Sequence, residues 1–306
     1  MASALGTNLV IGISSRALFD LEEANSVYDN EGLDSYTKYQ KEREDEPLEK
    51  GTAYHLVEAL LKLNTLGVGK IVDVIVMSKN SPDTGLRAFY SISHYGLEIT
   101  RAAFAGGASL SPYLNAFDVD LFLSKSGEDV QMAIDSGVAS AMIYSPPEGY
   151  ISNTNQIRIA FDADAVVFSD ASEYIYKTLG IEAFYQHEKE NALKPLPEGP
   201  FAKLLKTLSF IQSKFSKQES PIRLAIVTAR NSPAHERVIL TLRAWEVEID
   251  EAFFLGGLPK DKILQAYNPH IFFDDQHRHL EHSSKLVPAG QVPYMTSSPM
   301  HDIEEA

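Results

Sequence analysis

The first half of this chain recurs in altered form in the second, and that recurrence limits the fold more than any other feature. Shifted by 148 positions, Arg16-Ala17 falls on Asp164-Ala165, Val27-Tyr28 on Ile175-Tyr176, Gly32 on Gly180, Pro47 on Pro195 and Gly51 on Gly199. Shifted by 150, GLEITRAAFAGG (96–107) falls on EVEIDEAFFLGG (246–257), and VDLFLSKS (119–126) on PHIFFDDQ (269–276). A near-constant offset over most of both halves exceeds what shared composition gives. It is the mark of an ancient duplication of one unit. Within each half, short β-branched runs alternate with amphipathic stretches. Strands are expected at 8–13, 71–77, 119–124, 157–161, 222–228 and 270–273, and helices at 53–63, 200–215 and 233–245. Near-continuous apolar strands alternating with helices predict an α/β fold with a Rossmann-like parallel sheet covered on both faces.

Composition excludes several classes of function. With 306 residues and 44% hydrophobic content, the chain can bury a core of about two domain-sized units. A net charge of -15 argues against binding a nucleic-acid polymer, though not against a small anion held in a locally basic cleft. With no cysteine, disulfides and thiol catalysis are ruled out. No stretch approaches the roughly 20 apolar residues of a membrane span, and the start of the chain lacks the basic region of a signal peptide. A soluble cytoplasmic protein is expected. The segment 288–306, rich in Pro, Ser and acid, is expected to be flexible.

The two copies differ in chemistry. Where the second half has Asp162, Asp164, Asp274 and Asp275, the first has Ser14, Arg16, Ser124 and Lys125; Lys260 faces Leu110, and Thr228 faces Ser78. A structural acid would be needed in both copies, so the one-sided set points to a task. Asp162/Asp164, Thr228, Lys260 and Asp274/Asp275 each follow an apolar strand, at the carboxyl end where open α/β sheets place their sites. Strand ends of one parallel sheet are neighbours, so these residues should converge. Four carboxylates beside one lysine require a further cation, and hard oxygen ligands favour Mg²⁺.

The segments DADAVVF, VTAR, GGLPK and FFDD resemble the four motifs of the haloacid-dehalogenase-like (HAD) phosphohydrolases. FDADAVVFSDASE, IVTARNS, FFLGGLPK and PHIFFDDQ, with SSRALFDLEE and YQKEREDEP in the first half, are similar to signature segments of the cytosolic 5'-nucleotidase type I family. The resemblance runs from about Ile11 to Tyr294. It implies a HAD-type catalytic domain at 151–287 with a helical cap inserted at about 166–220, and a degenerate repeat at 1–150. It implies hydrolysis of nucleoside 5'-monophosphates with Mg²⁺, in an oligomer that a nucleotide can regulate. Asp162 would be the nucleophile. Asp164 would be the general acid and base, with a raised pKa. Thr228, with Ala229 and Arg230, would hold the phosphate, and Lys260 would neutralise phosphate and nucleophile. Asp162, Asp164 through its carbonyl, and Asp274 or Asp275 would hold the metal. Cap residues Phe168, Glu173, Tyr185, His187, Lys189 and Pro195 are candidates for the nucleoside.

Each assignment has a plainer alternative. Asp-x-Asp after a strand often makes only a turn. Thr228 could cap the next helix, Lys262 rivals Lys260, and Asp275 could be the N-cap of a helix starting at Gln276. Ser14, Arg16 and Lys79 either bind substrate or regulator or mark a decayed site, and decay is the simpler reading. The histidines of HRHLEH (277–282) fall around a helix rather than on one face, which argues against a second metal site. KEREDEPLEK (41–50) is a solvated charged surface. A sugar-phosphate phosphatase of the same mechanism and a non-catalytic nucleotide binder are the rival functions.

Overall fold

The computed structural model describes residues 9–152 and 156–304. The expected strand start at Asn8 and the chain's first residues lie outside them. The first half contains β1 (Leu9–Ile13), α1 (Ser15–Leu18), β2 (Phe19–Asp20), α2 (Glu22–Glu31), α3 (Leu33–Glu42), β3 (Glu49–Lys50), α4 (Tyr54–Lys62), β4 (Val72–Ser78), α5 (Leu86–His94), β5 (Arg101–Phe104), α6 (Ser111–Ala116), β6 (Leu121–Ser124), α7 (Gly127–Asp135) and β7 (Ala139–Ile143). The second half contains β8 (Ile157–Phe161), α8 (Ala171–Leu179), α9 (Ile181–Glu190), α10 (Ala202–Gln212), β9 (Ile222–Thr228), α11 (His235–Ala244), β10 (Glu251–Phe254), α12 (Asp261–Tyr267), β11 (Ile271–Asp274), α13 (His277–Ser283), β12 (Ala289–Gln291) and α14 (Pro299–Glu304).

Ten strands form one sheet in the order β10-β9-β8-β11-β12-β7-β6-β1-β4-β5. All pairs are parallel except β12 with β7, where Gly290 faces Ile143 and Gln291 faces Met142. Each half supplies five strands in equivalent order, and the antiparallel pair joins them. The inner strands are buried on both faces, as their apolar sequences require: Phe161, Phe272 and Phe273 are fully enclosed, while the edge strands β5 and β10 are half-buried. One apolar core runs through both halves, from Leu9 and Phe19 to Phe273 and Val292.

Two expectations are corrected. The segment after Val287 is not a free tail: β12 completes the sheet, while Tyr294 and Met300 are buried against Ala165. At three residues, Ala-Gly-Gln, β12 has no apolar run to signal a strand. The expected cap at 166–220 is also smaller, because α10 buries Leu204, Leu205, Leu208 and Ile211 in the main core. Of that segment, the hairpin of α8 and α9 stands over the strand ends. Their short apolar patterns leave Leu179 and Ile181 exposed at its tip.

Candidate active site

Because β8, β9 and β11 are adjacent and parallel, the residues at their carboxyl ends meet. Asp162 follows β8, Thr228 ends β9 and Asp274 ends β11. Lys260, after the Gly256-Gly257 turn that follows β10, sits at the start of α12 and reaches inward. Its ammonium lies 3.0 Å from Asp162 Oδ1 and 2.6 Å from Asp274 Oδ2, and all three side chains are buried. Lys262 is exposed, so Lys260 is the residue at the site. The backbone after Asp162 forms a single π turn (Ala163–Val167) in which Ala165 has φ +58°. That conformation costs a non-glycine residue about 1 kcal/mol. In the first half the same position, Ala17, is helical.

Burial pushes Asp162 up to about 7; Lys260 opposes this, while Asp274 and Asp164 add to it. Burial also acts upward on Asp274, but Lys260 and His279 outweigh it and hold its carboxyl down to about 2. Lys260 is raised because its two carboxylates overcome the effect of burial. Asp275 is fully buried and raised well above the ordinary value by burial, with Glu173, Asp274 and Asp162 adding to it. It accepts from the Tyr294 hydroxyl through Oδ2, while its Oδ1 is buried with no hydrogen-bond partner among the described residues. The helix after β11 begins at His277 with Gln276 as its N-cap, so Asp275 does not cap it; Asp274 Oδ1 accepts from the Gln276 N–H at 2.9 Å.

Asp162, Asp274 and His279 present ligand atoms within 4.8 Å of one another. The two carboxylates and the imidazole fit a small divalent cation, and Asp275 is not among these clustered ligand atoms. His279, set aside with its neighbours in sequence, lies with Nδ1 3.2 Å from the Asp274 carboxylate. A period-3.6 count showed that the three histidines diverge, but not that one of them turns back to the strand end.

Above this cluster opens a pocket of about 690 Å³, floored by Asp162, Thr228 and Lys260 and walled by the cap. Thr228 is buried, and its Oγ1 accepts from the Arg230 N–H at 3.2 Å, a turn contact rather than a cap of α11. Arg230 is buried and committed elsewhere: Nε and Nη2 donate to the two oxygens of Asp164 at 2.7 and 2.6 Å, and Nη1 to Glu188 of α9. Of the cap candidates, Glu173 and Tyr185 line the pocket. Phe168 does not; it is fully buried against Trp245. His187, Lys189 and Pro195 also lie outside it. Tyr176, Phe184 and, from α13, Arg278 and His282 line it instead. In the first half, Ser14 caps α1, Arg16 and Lys125 pair with Glu22, and Lys79 pairs with Asp129.

Fold and site together define an α/β protein with buried carboxylates, a lysine and a threonine gathered at parallel strand ends beneath a helical cap. A family model described as 5'-nucleotidase matches residues 1–299, and the chain belongs to that family. It is 39% identical over 289 residues to Cytosolic 5'-nucleotidase 1B of Homo sapiens, covering 91% of this chain and 47% of the relative. The chain thus spans about half the length of that curated relative. Among solved structures, histidinol dehydrogenase from Elizabethkingia anophelis matches with a TM-score of 0.22 and 10% identity, over 97% of this chain and 82% of that one. A likeness that low carries no argument. No helix among the described residues is long and apolar enough to cross a membrane.

Proposed function

We propose that the chain hydrolyses nucleoside 5'-monophosphates to nucleoside and phosphate by a HAD-type mechanism, with an aspartyl-phosphate on Asp162 and Mg²⁺ as its cation. The observation that carries this reading is the buried ammonium of Lys260 between Asp162 and Asp274, on the floor of a pocket shared with Thr228. A bound cation would be held by Asp162, Asp274 and the Asp164 carbonyl, with His279 and Asp275 beside them. It would supply charge neutralisation and in-line orientation of the phosphate.

Asp162 attacks phosphorus, the P–O5' bond breaks, and the leaving oxygen takes a proton from Asp164. Water then attacks phosphorus, the bond to Asp162 breaks, and Asp164 receives the proton. As base, Asp164 can act with the Arg230 fork in place, because each oxygen keeps a second acceptor position. As acid, it carries its proton at that second position, with Arg230 still donating to the remaining acceptor sites. Thr228 and Lys260 hold the phosphoryl oxygens. The aromatic wall of Tyr176, Phe184 and Tyr185 suits a nucleoside better than a bare sugar, which favours a nucleotide substrate.

The equivalent strand orders and the 148–150 offset support reading 1–150 as a duplicated copy whose site has been lost, with 151–287 as the active one. The relative's name and the acidic composition agree with action in the cytoplasm. A panel of phosphomonoesters, assayed for released phosphate with Mg²⁺ and with EDTA, tests the proposal. Turnover of nucleoside 5'-monophosphates that chelation abolishes and Mg²⁺ restores is expected; turnover of sugar phosphates alone would overturn it.

A further inference from the structure

The hairpin over the site is tied to Asp164 by a buried chain of charges. Glu188, on α9, accepts from Ser172 Oγ at 2.8 Å, from Arg237 Nη1 at 2.9 Å and from Arg230 Nη1. His187 Nδ1 lies 3.2 Å from the same carboxylate. Arg230 in turn forks onto both oxygens of Asp164. Among the described residues Arg230 is the one hydrogen-bond partner of the Asp164 side chain, whose chain neighbours are both alanines. The direction of Asp164 in the pocket therefore depends on Arg230, and that of Arg230 on the cap.

The first half of the molecule provides an internal control. Glu188, Arg230, Arg237 and Asp164 correspond to Gln40, Asn80, Arg87 and Arg16. There Arg87 Nη1 still donates to Gln40 Oε1 at 3.4 Å, which ties α3 to α5. Asn80 instead donates to the Tyr36 hydroxyl at 3.1 Å, and Arg16 turns to Glu22. The helix-anchoring contact is present in both halves. The carboxylate–guanidinium–carboxylate chain is present only in the half with the acidic set, so anchoring alone does not account for it.

We propose that Glu188 and Arg230 are positioning residues for Asp164, so that the cap helix α9 sets the direction of the proton-transferring carboxylate. A planar guanidinium held at one end and forked at the other fixes a carboxylate in two dimensions, which an ammonium cannot do. The inference rests on the phosphohydrolase reading above. It also makes the cap more than a lid, because its seating and the acid–base step become one event.

A double-mutant cycle tests it. Glu188→Gln copies the residue that already sits beside an arginine at the corresponding place in the first half, so the variant should fold. It should lower kcat on a nucleoside 5'-monophosphate at least about tenfold, with KM changed less than about threefold, because acid–base transfer is worth roughly 10²–10⁴-fold. In an Asp164→Asn background the same change should cost less than about twofold, since the residue it positions is already disabled. Arg230→Lys, which keeps the charge and loses the fork, should repeat the pattern and decides the matter if Glu188→Gln is unstable. Losses that multiply in the double variant, or wild-type kcat in both single variants, would overturn the positioning role. Wild-type protein that releases no phosphate from any nucleoside 5'-monophosphate would instead overturn the reading beneath it.

Discussion

At Asp162, burial of a carboxylate is offset by the Lys260 ammonium at 3.0 Å, which Asp274 shares from the other side at 2.6 Å. Removing one member of such a set leaves uncompensated charge in a dry site, at a cost on the order of 3–5 kcal/mol. Lys260→Ala should therefore lower the melting temperature, and Mg²⁺ should raise that of the variant more than that of the wild type. Thermal denaturation with and without Mg²⁺ checks this, and equal melting of variant and wild type would contradict it. The members of this set were legible in the sequence, since Asp162 and Asp274 stand at the ends of apolar strands, Lys260 follows the next strand's Gly-Gly turn, and parallel strand ends must meet. The Arg230–Asp164 fork was not, because it joins residues 66 positions apart and a basic residue beside Thr228 reads first as a phosphate ligand. The pocket-lining aromatics were equally hidden. Tyr176 and Phe184 look like ordinary packing until the hairpin is seen to stand over the strand ends.

Single elements carry the site through close backbone contacts. Gly199 approaches the turn after β8 so nearly that an added Cβ would lie 2.3 Å from the Phe168 carbonyl oxygen, and Gly51 likewise approaches the end of α1, at 2.8 Å from the Ala17 carbonyl oxygen. Gly199→Ala must displace the turn that carries Asp162 and Asp164. It should lower stability by about 1–3 kcal/mol and reduce phosphate release as well, as denaturant melts and rate assays would show. The pairing of Gly51 with Gly199 was visible as a shared offset, but its cause was not, because a sequence does not show which backbone passes near a missing Cβ. At α9, burial acts to raise Glu188, but Arg230, Ser172 and Arg237 outweigh it and hold its carboxyl below the ordinary value of 4.5. A lowered folded value means that the unfolded chain binds more protons as pH falls. The stability from this group is thus fully present above pH 4.5 and is lost as pH drops through the folded value. Urea unfolding from pH 7 downward should show a shallower acid dependence in Glu188→Gln than in the wild type.

Across the whole molecule, two five-strand units share a ten-stranded sheet and one continuous core, so neither half is insulated from the other. At the joining pair, Gly290 sits where an added Cβ would lie 3.0 Å from Ala141 Cβ and 3.1 Å from Ile143 Cδ1. Calorimetric unfolding should accordingly be a single cooperative transition that coincides with loss of phosphate release; two separated transitions would contradict a shared core. The inner strands β1, β4, β6, β8, β9 and β11 were readable from their apolar runs, whereas β5, β7 and β10 were not, because their short runs mix in polar or small residues. The join was not, because β12 is three residues of a segment whose Pro and Ser content suggests disorder, and its partner β7 lies about 150 positions earlier. The central claim is that the acidic strand ends of the second half transfer a phosphoryl group through Asp162. Acid quenching during turnover of a phosphate-labelled nucleoside 5'-monophosphate with Mg²⁺, followed by peptide mass spectrometry, tests it most directly. The account predicts label on Asp162 and none in Asp162→Asn, whose turnover should fall on the order of 10⁴-fold; steady turnover with label on another residue, or undiminished in that variant, would contradict it.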